Sequence, residues 1–152
     1  MNSDNRMQLK VVTPTGTMLE ERAVSVAMWT ELGQIEVLHG HAPTVVLLVP
    51  GEMRVYDGVH EDRIFAAGEG FAQIDGESVT VFSDMAEEAA NIAVDQTREA
   101  KQRAETALAQ AAGLTEDERQ AADLLVKESL VKIQVSMRRK DGSRQRGPVP
   151  RQ

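Results

Sequence analysis

Few side chains in this sequence have the types and spacing that chemistry requires. The histidines are His39, His41 and His60. On a strand, side chains two residues apart point to the same face, so His39 and His41 could form a pair of metal ligands. There is no cysteine and no further histidine cluster to complete such a site. We therefore expect no metal, and a surface turn with one contact histidine is the favoured interpretation.

Catalytic motifs are absent from the sequence. It contains no GxxxxGK[ST] phosphate loop, no GxGxxG turn, no HExxH pair and no GxSxG nucleophile turn. The serines stand in no recognisable nucleophile motif. Adjacent acidic residues, such as Glu20/Glu21 and Glu87/Glu88, are typical of a solvated acidic surface. The sequence therefore predicts no catalytic residue and a protein that is not an enzyme.

Charge is distributed unevenly along the 152 residues. Residues 1–90 carry 15 acidic and 5 basic side chains, a net charge of −10, whereas residues 91–152 carry 9 acidic and 12 basic ones, a net charge of +3. The acidic body repels phosphate, which argues against nucleic acid as a partner. The basic end could bind an acidic protein surface. Met1 to Arg6 lacks the apolar stretch of a signal peptide, so a cytoplasmic location is expected.

Residues 1–90 are predicted to form a β-domain. Apolar residues alternate from Met7 to Val11 and from Val24 to Met28, which indicates strands with one buried face. The continuous apolar run Thr44 to Val49 predicts a strand that is covered on both faces or lies mid-sheet. Short runs rich in Val, Ile, Phe or Tyr are separated by turn signals that predict hairpins. These turn signals are Pro50-Gly51, Asp57-Gly58 and Asp75-Gly76.

After about Asp84 the pattern becomes helical, with frequent alanine and no proline up to Met137. Gly113 is the predicted C-cap of a first helix. Thr115 and Glu118 fit a capping box at the start of a second helix. The apolar face of the first helix consists of Ala100, Ala104, Ala107, Leu108 and Ala111.

The second helix has two apolar surfaces, so it needs two packing partners. We expect it to pack on the first helix and also on the sandwich or on another subunit. One surface consists of Ala122, Val126, Leu130, Ile133 and Met137, and the other of Leu124, Leu125, Val131 and Val135. The predicted fold is α+β: an N-terminal antiparallel β-sandwich (flattened barrel) in residues 1–90, then a C-terminal antiparallel two-helix hairpin in residues 91–137. Residues 138–152 are predicted to be a basic, disordered tail.

Four segments in this order resemble the epsilon subunit of bacterial F-type ATP synthases, over roughly residues 7–137. The sequence departs from the family pattern at Glu36 and Glu69, where the family has glycine, and at His39, where it has proline. The four segments are Leu9-Lys10-Val11-Val12-Thr13-Pro14, Gly40-His41-Ala42-Pro43, Gly68-Glu69-Gly70-Phe71-Ala72-Gln73-Ile74 and Val79-Thr80-Val81-Phe82-Ser83-Asp84-Met85-Ala86-Glu87.

The resemblance implies a non-catalytic rotor subunit of the central stalk, which couples ion-driven rotation of the c-ring to ATP synthesis. Its partners would be the gamma subunit, the c-ring and, with the hairpin extended, the alpha and beta catalytic subunits. It would lie at the cytoplasmic face of the bacterial inner (plasma) membrane, attached peripherally through the complex. A free-standing β-sandwich module that binds proteins, with no ATP synthase role, is the alternative.

The resemblance also implies a loop that contacts gamma and the c-ring. His41 matches the position of the family's contact histidine, and a hydrogen-bonded turn histidine of structural use is the competing interpretation. The predicted contact residues are Glu31, Gln34, Glu36, His39 and His41.

In bacterial relatives the hairpin can extend into the catalytic head and block ATP hydrolysis. The basic end of this chain fits that behaviour, because it could pair with acidic residues of the catalytic subunits. A solubilising face that suits the helix dipole is the competing interpretation, and a hairpin that stays folded down permanently is a third. The predicted inhibitory contacts are Lys127, Lys132, Arg138, Arg139 and Lys140.

Some bacterial members bind ATP through a motif like [IL]-D-x-x-R-A. Val94-Asp95-Gln96-Thr97-Arg98-Glu99 matches it in part. By this resemblance Arg98 would meet phosphate and Asp95 would fix adenine. An ordinary N-cap at Asp95 and a surface arginine at Arg98 are the competing interpretation. No cofactor is required, and regulatory ATP is the candidate ligand.

Overall fold

The computed structural model describes residues 5–60, 62–110 and 112–141. Ten strands come first, then a single 3-10 turn at Ala89–Asn91 and two helices, α1 at Val94–Ala109 and α2 at Glu116–Asp141. The strands are β1 Met7–Thr13, β2 Gly16–Ala23, β3 Ser25–Thr30, β4 Gly33–Leu38, β5 Thr44–Leu48, β6 Gly51–Tyr56, β7 Arg63–Ala67, β8 Gly70–Ile74, β9 Ser78–Ser83 and β10 Ala86–Glu88.

The strands form two five-stranded layers. One has the order β10-β7-β6-β3-β4 and the other the order β5-β8-β9-β1-β2, and a single pairing of Thr30 with Leu48 joins them. All strand pairs are antiparallel except β1 with β9, which is parallel. The predicted α+β fold, a β-sandwich followed by a helical hairpin, is confirmed, with this one parallel pair in an otherwise antiparallel sandwich.

The core lies between the layers and takes at least one side chain from every strand. Met7, Leu9 and Val11 alternate inward along β1 as predicted, because successive side chains of a strand point to opposite faces. Val26 and Met28 do the same along β3, whereas Val24 lies in the link before that strand.

Two predictions about the strands are wrong in part. The run Thr44 to Val49 is not covered on both faces, since Val45 and Leu47 of β5 are 63% and 68% exposed. The Pro50-Gly51 turn does not close a hairpin, because β5 and β6 belong to different layers. The turns at Asp57-Gly58 and Asp75-Gly76 do close the hairpins β6–β7 and β8–β9.

The helices form the predicted antiparallel hairpin. In the capping box, the Glu118 N–H donates to Thr115 Oγ1 at 3.3 Å and the Thr115 N–H donates to Glu118 Oε2 at 2.8 Å. The first helix ends earlier than predicted, at Ala109, and Gly113 lies in the turn that follows. The second helix continues to Asp141, so the first residues of the predicted tail are helical; the rest of that tail lies outside the described residues.

Candidate functional site

The five predicted contact residues do not form one loop. Glu31 lies in the two-residue turn between β3 and β4, while Gln34 and Glu36 lie on β4, on its exposed face. His39 and His41 follow β4 at its other end. A six-residue strand separates the two ends by roughly 20 Å. Glu31 and the two histidines are therefore at opposite ends of the sandwich, and the five residues do not form one local contact.

The turn that carries His39 and His41 is held mainly by its backbone. The Gly40 N–H donates to the Gly76 carbonyl at 2.7 Å, which ties this turn to the β8–β9 turn. The His41 Nδ1 lies 2.9 Å from the Ala42 carbonyl oxygen, while His39 is exposed. His41 is thus a hydrogen-bonded turn histidine that keeps part of its ring accessible, which is compatible with both interpretations of its role.

His60 lies at the same end of the sandwich, in the β6–β7 turn. Its ring nitrogen contacts Asp57, and this hydrogen bond holds the pKa of the Asp57 carboxyl well below its usual range. Over the ranges 5–60, 62–110 and 112–141, no group of three or more His, Cys, Asp or Glu side chains is placed to hold a metal ion.

An exposed apolar row crosses the outer face of the second layer. Leu47 of β5 pairs with Phe71 of β8, Phe71 with Phe82 of β9, and Phe82 with Val12 of β1. The two phenyl rings are stacked, with centroids 4.8 Å apart. Phe71 is 41% exposed and Val45, beside Leu47, is more exposed still. We call these five residues the apolar row; contiguous exposed apolar surface of this kind marks a protein-binding face.

The hairpin covers part of the opposite outer face of the sandwich, over β7 and β6. The second helix crosses β7 and β6 and buries Val135 against Ala66, Ala89 and Ile92. This confirms that the helix has two packing partners, α1 and the sandwich. Sequence patterning did not separate the two faces, because Val135 and the exposed Leu125 had been assigned to one surface.

Two of the predicted inhibitory residues are already paired with acids of the sandwich. Lys132 Nζ lies 2.9 Å from Glu87 Oε2, and an Arg138 guanidinium N–H donates to Glu52 Oε2 at 3.1 Å. Glu52 is only 9% exposed. Lys127 instead pairs within α2, with Asp123. For Arg139 and Lys140 the backbone is helical, but their side chains lie outside the described part.

Near the start of the contact between α2 and the sandwich, Glu128 of α2 faces Asp84, which follows β9. Burial raises the pKa of Glu128 to about 7, and the nearby Asp84 charge and hydrogen bond add to this effect. The sequence analysis missed Glu128. The helical spacing could have identified it. Glu128 lies three, seven and ten residues before Val131, Val135 and Arg138, and this spacing places all four on one face of a helix.

Asp95 and Arg98 lie in the first two turns of α1, and both are exposed. The N-cap of α1 is Ala93, so Asp95 does not cap the helix. In the described ranges, neither side chain makes a hydrogen bond or an ion pair, and nothing indicates an assembled nucleotide pocket around them. Regulatory ATP binding at this position stays a prediction.

Comparison with known families matches residues 6–89 to the ATP synthase Delta/Epsilon chain, beta-sandwich domain. Two relatives named ATP synthase epsilon chain come from Bacillus thuringiensis (strain Al Hakam) and Bacillus cereus (strain B4264). Each is 38% identical over 100 residues, which cover 66% of this chain and 74% of the relative. These matches do not favour a free-standing module unrelated to ATP synthases.

Two solved structures share the fold. One is a chain of the Euglena gracilis mitochondrial ATP synthase, in an OSCP/F1/c-ring structure, with a TM-score of 0.70, 18% identity, and coverage of 90% of this chain and 81% of that one. The other belongs to the central stalk/c-ring of the Tetrahymena thermophila mitochondrial ATP synthase, with a TM-score of 0.54, 13% identity, and coverage of 88% and 95%. No helix in the described part of this chain has the length and apolar character needed to cross a bilayer.

Proposed function

The chain belongs to the ATP synthase Delta/Epsilon chain family, and from this we propose that it is a central-stalk rotor subunit that couples rotation of an ion-driven ring to ATP synthesis. Epsilon-type subunits are accessory subunits of the synthase. We propose that this chain has no catalytic turnover of its own and requires no cofactor. Its place would be peripheral, through the complex, at the cytoplasmic face of a bacterial plasma membrane.

The observation that carries this proposal is the contrast between the two outer faces of the sandwich. One is covered by α2 over β7 and β6, whereas the other exposes the apolar row across four neighbouring strands. A row with two exposed phenylalanines fits a stable subunit contact, because aromatic side chains supply much of the energy at such interfaces. We assign this row to the gamma subunit, and the turn carrying His39 and His41 to the c-ring.

The hairpin would regulate ATP hydrolysis by leaving the sandwich. In the structure it is docked, and Lys132 and Arg138 are paired with Glu87 and Glu52. Release would free both cations for acidic residues of the alpha and beta subunits. The ion pairs would then exchange partners, with little net change in charge pairing, so neither state would be strongly favoured by electrostatics alone.

The test is reconstitution with alpha, beta and gamma subunits, followed by measurement of ATP hydrolysis. A chain ending at Ala90 should associate through gamma without suppressing hydrolysis, whereas the full chain should do both. If neither form associates with an intact head, the rotor assignment is wrong. If both associate and neither suppresses hydrolysis, the chain couples rotation and the hairpin does not inhibit.

A cross-link between hairpin and sandwich tests whether inhibition requires the hairpin to leave the sandwich or requires only that the hairpin is present. The chain has no cysteine, so Glu87→Cys with Lys132→Cys can be joined by a short bis-maleimide across the docked contact. This bridged form should associate but not inhibit, whereas the same double variant without the bridge should still inhibit through the remaining basic residues of α2. The matched control joins Lys101→Cys and Glu105→Cys, an ion pair of 3.0 Å within α1, and it should inhibit like the unmodified chain. Inhibition by the form bridged between hairpin and sandwich would show that release is not needed.

A further inference from the structure

A carboxyl group of the hairpin and one of the sandwich meet where α2 reaches the end of the sandwich, and a third, exposed carboxyl group is near enough to act on them electrostatically. Glu128 comes from α2, Asp84 from the connection between β9 and β10, and Glu69 from the turn between β7 and β8. Gly68 lies beneath them: a Cβ at this position would collide with Asp84 Oδ1 and would lie 2.9 Å from Glu128 Oε1. The absent side chain is what lets the carboxyl groups of hairpin and sandwich approach each other.

Two carboxylates this close cannot both be ionised without a large repulsion, so they favour sharing one proton. Glu128 is half-buried, and burial together with Asp84 raises its pKa from the usual 4.5 to about 7, with Glu69 acting in the same direction. Lys132 opposes this shift, but its ammonium is held by Glu87. Lys127, the other nearby cation, is held by Asp123.

We propose that Glu128, Asp84 and Glu69 form a proton-dependent latch between hairpin and sandwich. With one proton shared between Glu128 and Asp84, a hydrogen bond joins α2 to the sandwich. When the proton leaves, the Glu128 and Asp84 carboxylates face each other across the contact with the charge of Glu69 nearby, and the hairpin is released more readily. We call this set the carboxyl latch.

The direction of the pH effect follows from proton uptake on docking. In the released hairpin Glu128 is solvated and ionises near its usual pKa of 4.5, whereas in the docked form its pKa is about 7. The latch therefore stabilises the docked hairpin fully below about pH 4.5, and this stabilisation is lost as the pH rises through about 7. Between about pH 6 and about pH 8, the ratio of docked to released hairpin should fall about three- to tenfold, the lower figure allowing for solvent screening of a half-buried group.

If the released hairpin inhibits, as the proposed function has it, acidification would favour the docked and permissive form. That consequence rests on the proposed function, whereas the latch itself does not. The latch is a property of the isolated chain and can be measured without any partner subunit.

The experiment measures docking in the full chain by the distance between two spin labels, on Gln8→Cys in β1 and Gln120→Cys in α2. Both positions are exposed. Because docking of the unaltered chain could be too complete to report a tenfold change, the series is repeated with Val135→Ala, which weakens the contact. The variants are Glu128→Gln and Asp84→Asn, and the control is Asp123→Asn, on the same helix but 53% exposed and paired with Lys127.

The docked population of the parent chain and of Asp123→Asn should fall as the pH rises from about 6 to about 8. In Glu128→Gln and Asp84→Asn this pH dependence should largely disappear. A parent chain whose docking is independent of pH in the Val135→Ala background would overturn the latch, as would an unchanged pH dependence in both carboxyl variants. If docking follows pH as expected but inhibition of the reconstituted head does not, the latch stands and the inhibitory role of release is refuted.

Discussion

The substitution Val135→Ala should shift the hairpin from the docked to the released form. Val135 is 1% exposed and is the buried residue that α2 contributes to the contact with Ala66, Ala89 and Ile92. Shortening valine to alanine removes two buried carbons, which reduces the hydrophobic stabilisation of the docked hairpin by about 1.6 kcal/mol. A cavity left between helix and sandwich would raise the total cost to about 3 kcal/mol. The docking equilibrium should therefore fall about 15- to 150-fold.

The control is Leu125→Ala, because Leu125 lies on the same helix and is 42% exposed. This change removes more carbon than Val135→Ala, but from a side chain that is partly in water. It should cost less than about 1 kcal/mol. The two variants therefore separate the loss of a buried contact from a general loss of helix hydrophobicity.

Spin-label distances between β1 and α2 give the docked fraction, and ATP hydrolysis in the reconstituted head gives the functional effect. Val135→Ala should lengthen the distance distribution and strengthen inhibition, while Leu125→Ala should do neither. Equal docked fractions in the two variants would refute the inference that Val135 anchors the hairpin. A released hairpin with unchanged hydrolysis would separate docking from inhibition.

The remaining predictions concern the ionic and apolar contacts and the histidine turn. Arg138→Gln should weaken docking by about 1 kcal/mol or less, because Arg138 is largely exposed. The loss should shrink at high salt. An effect independent of salt would contradict an ionic contribution from the pair of Arg138 with Glu52. Phe71→Ser should reduce affinity for gamma at least tenfold in a binding assay. Loss of its stacking on Phe82 should lower the unfolding temperature by about 5 °C without preventing folding. Unchanged affinity would exclude the apolar row from the contact. His41→Ala should leave the melting temperature nearly unchanged and lower ion-driven ATP synthesis without affecting hydrolysis by the isolated head, and full coupling would favour a structural role for this histidine.

The parts of the fold that depend on local pattern were predictable from the sequence. Alternation from Met7 to Val11 identified a strand with one buried face, and the Thr115/Glu118 pair identified the start of α2. Both signals arise between residues close in the chain, where backbone geometry fixes which side chains meet. The order of four family-like segments then indicated how these elements assemble.

Contacts between distant segments were not predictable in the same way. The predicted contact loop from Glu31 to His41 is divided by β4, because pairing with β3 extends the segment and separates its ends. The apolar run Thr44 to Val49 predicts a strand that is covered on both faces or lies mid-sheet, because hydrophobicity alone does not say which faces have a neighbour; one face of β5 is exposed. The approach of Glu128 to Asp84 required the angle at which α2 crosses the sandwich, and no local pattern encodes that angle.

The apolar core of the sandwich is much larger than the apolar contact between hairpin and sandwich. This difference explains how one chain can combine a rigid sandwich with a hairpin that changes position. The sandwich core takes buried side chains from all ten strands, so the apolar row and the histidine turn keep their positions whatever the hairpin does. In the described part of α2, Val135 is the fully buried side chain of the hairpin contact and Val131 is partly buried beside it, and two ion pairs and one pair of carboxyl groups surround them. Few buried contacts limit the free energy of docking, so that a partner subunit can reverse docking and a single proton can bias it. A larger apolar contact would hold the hairpin down permanently, and the basic residues on α2 would then have no route to the catalytic subunits.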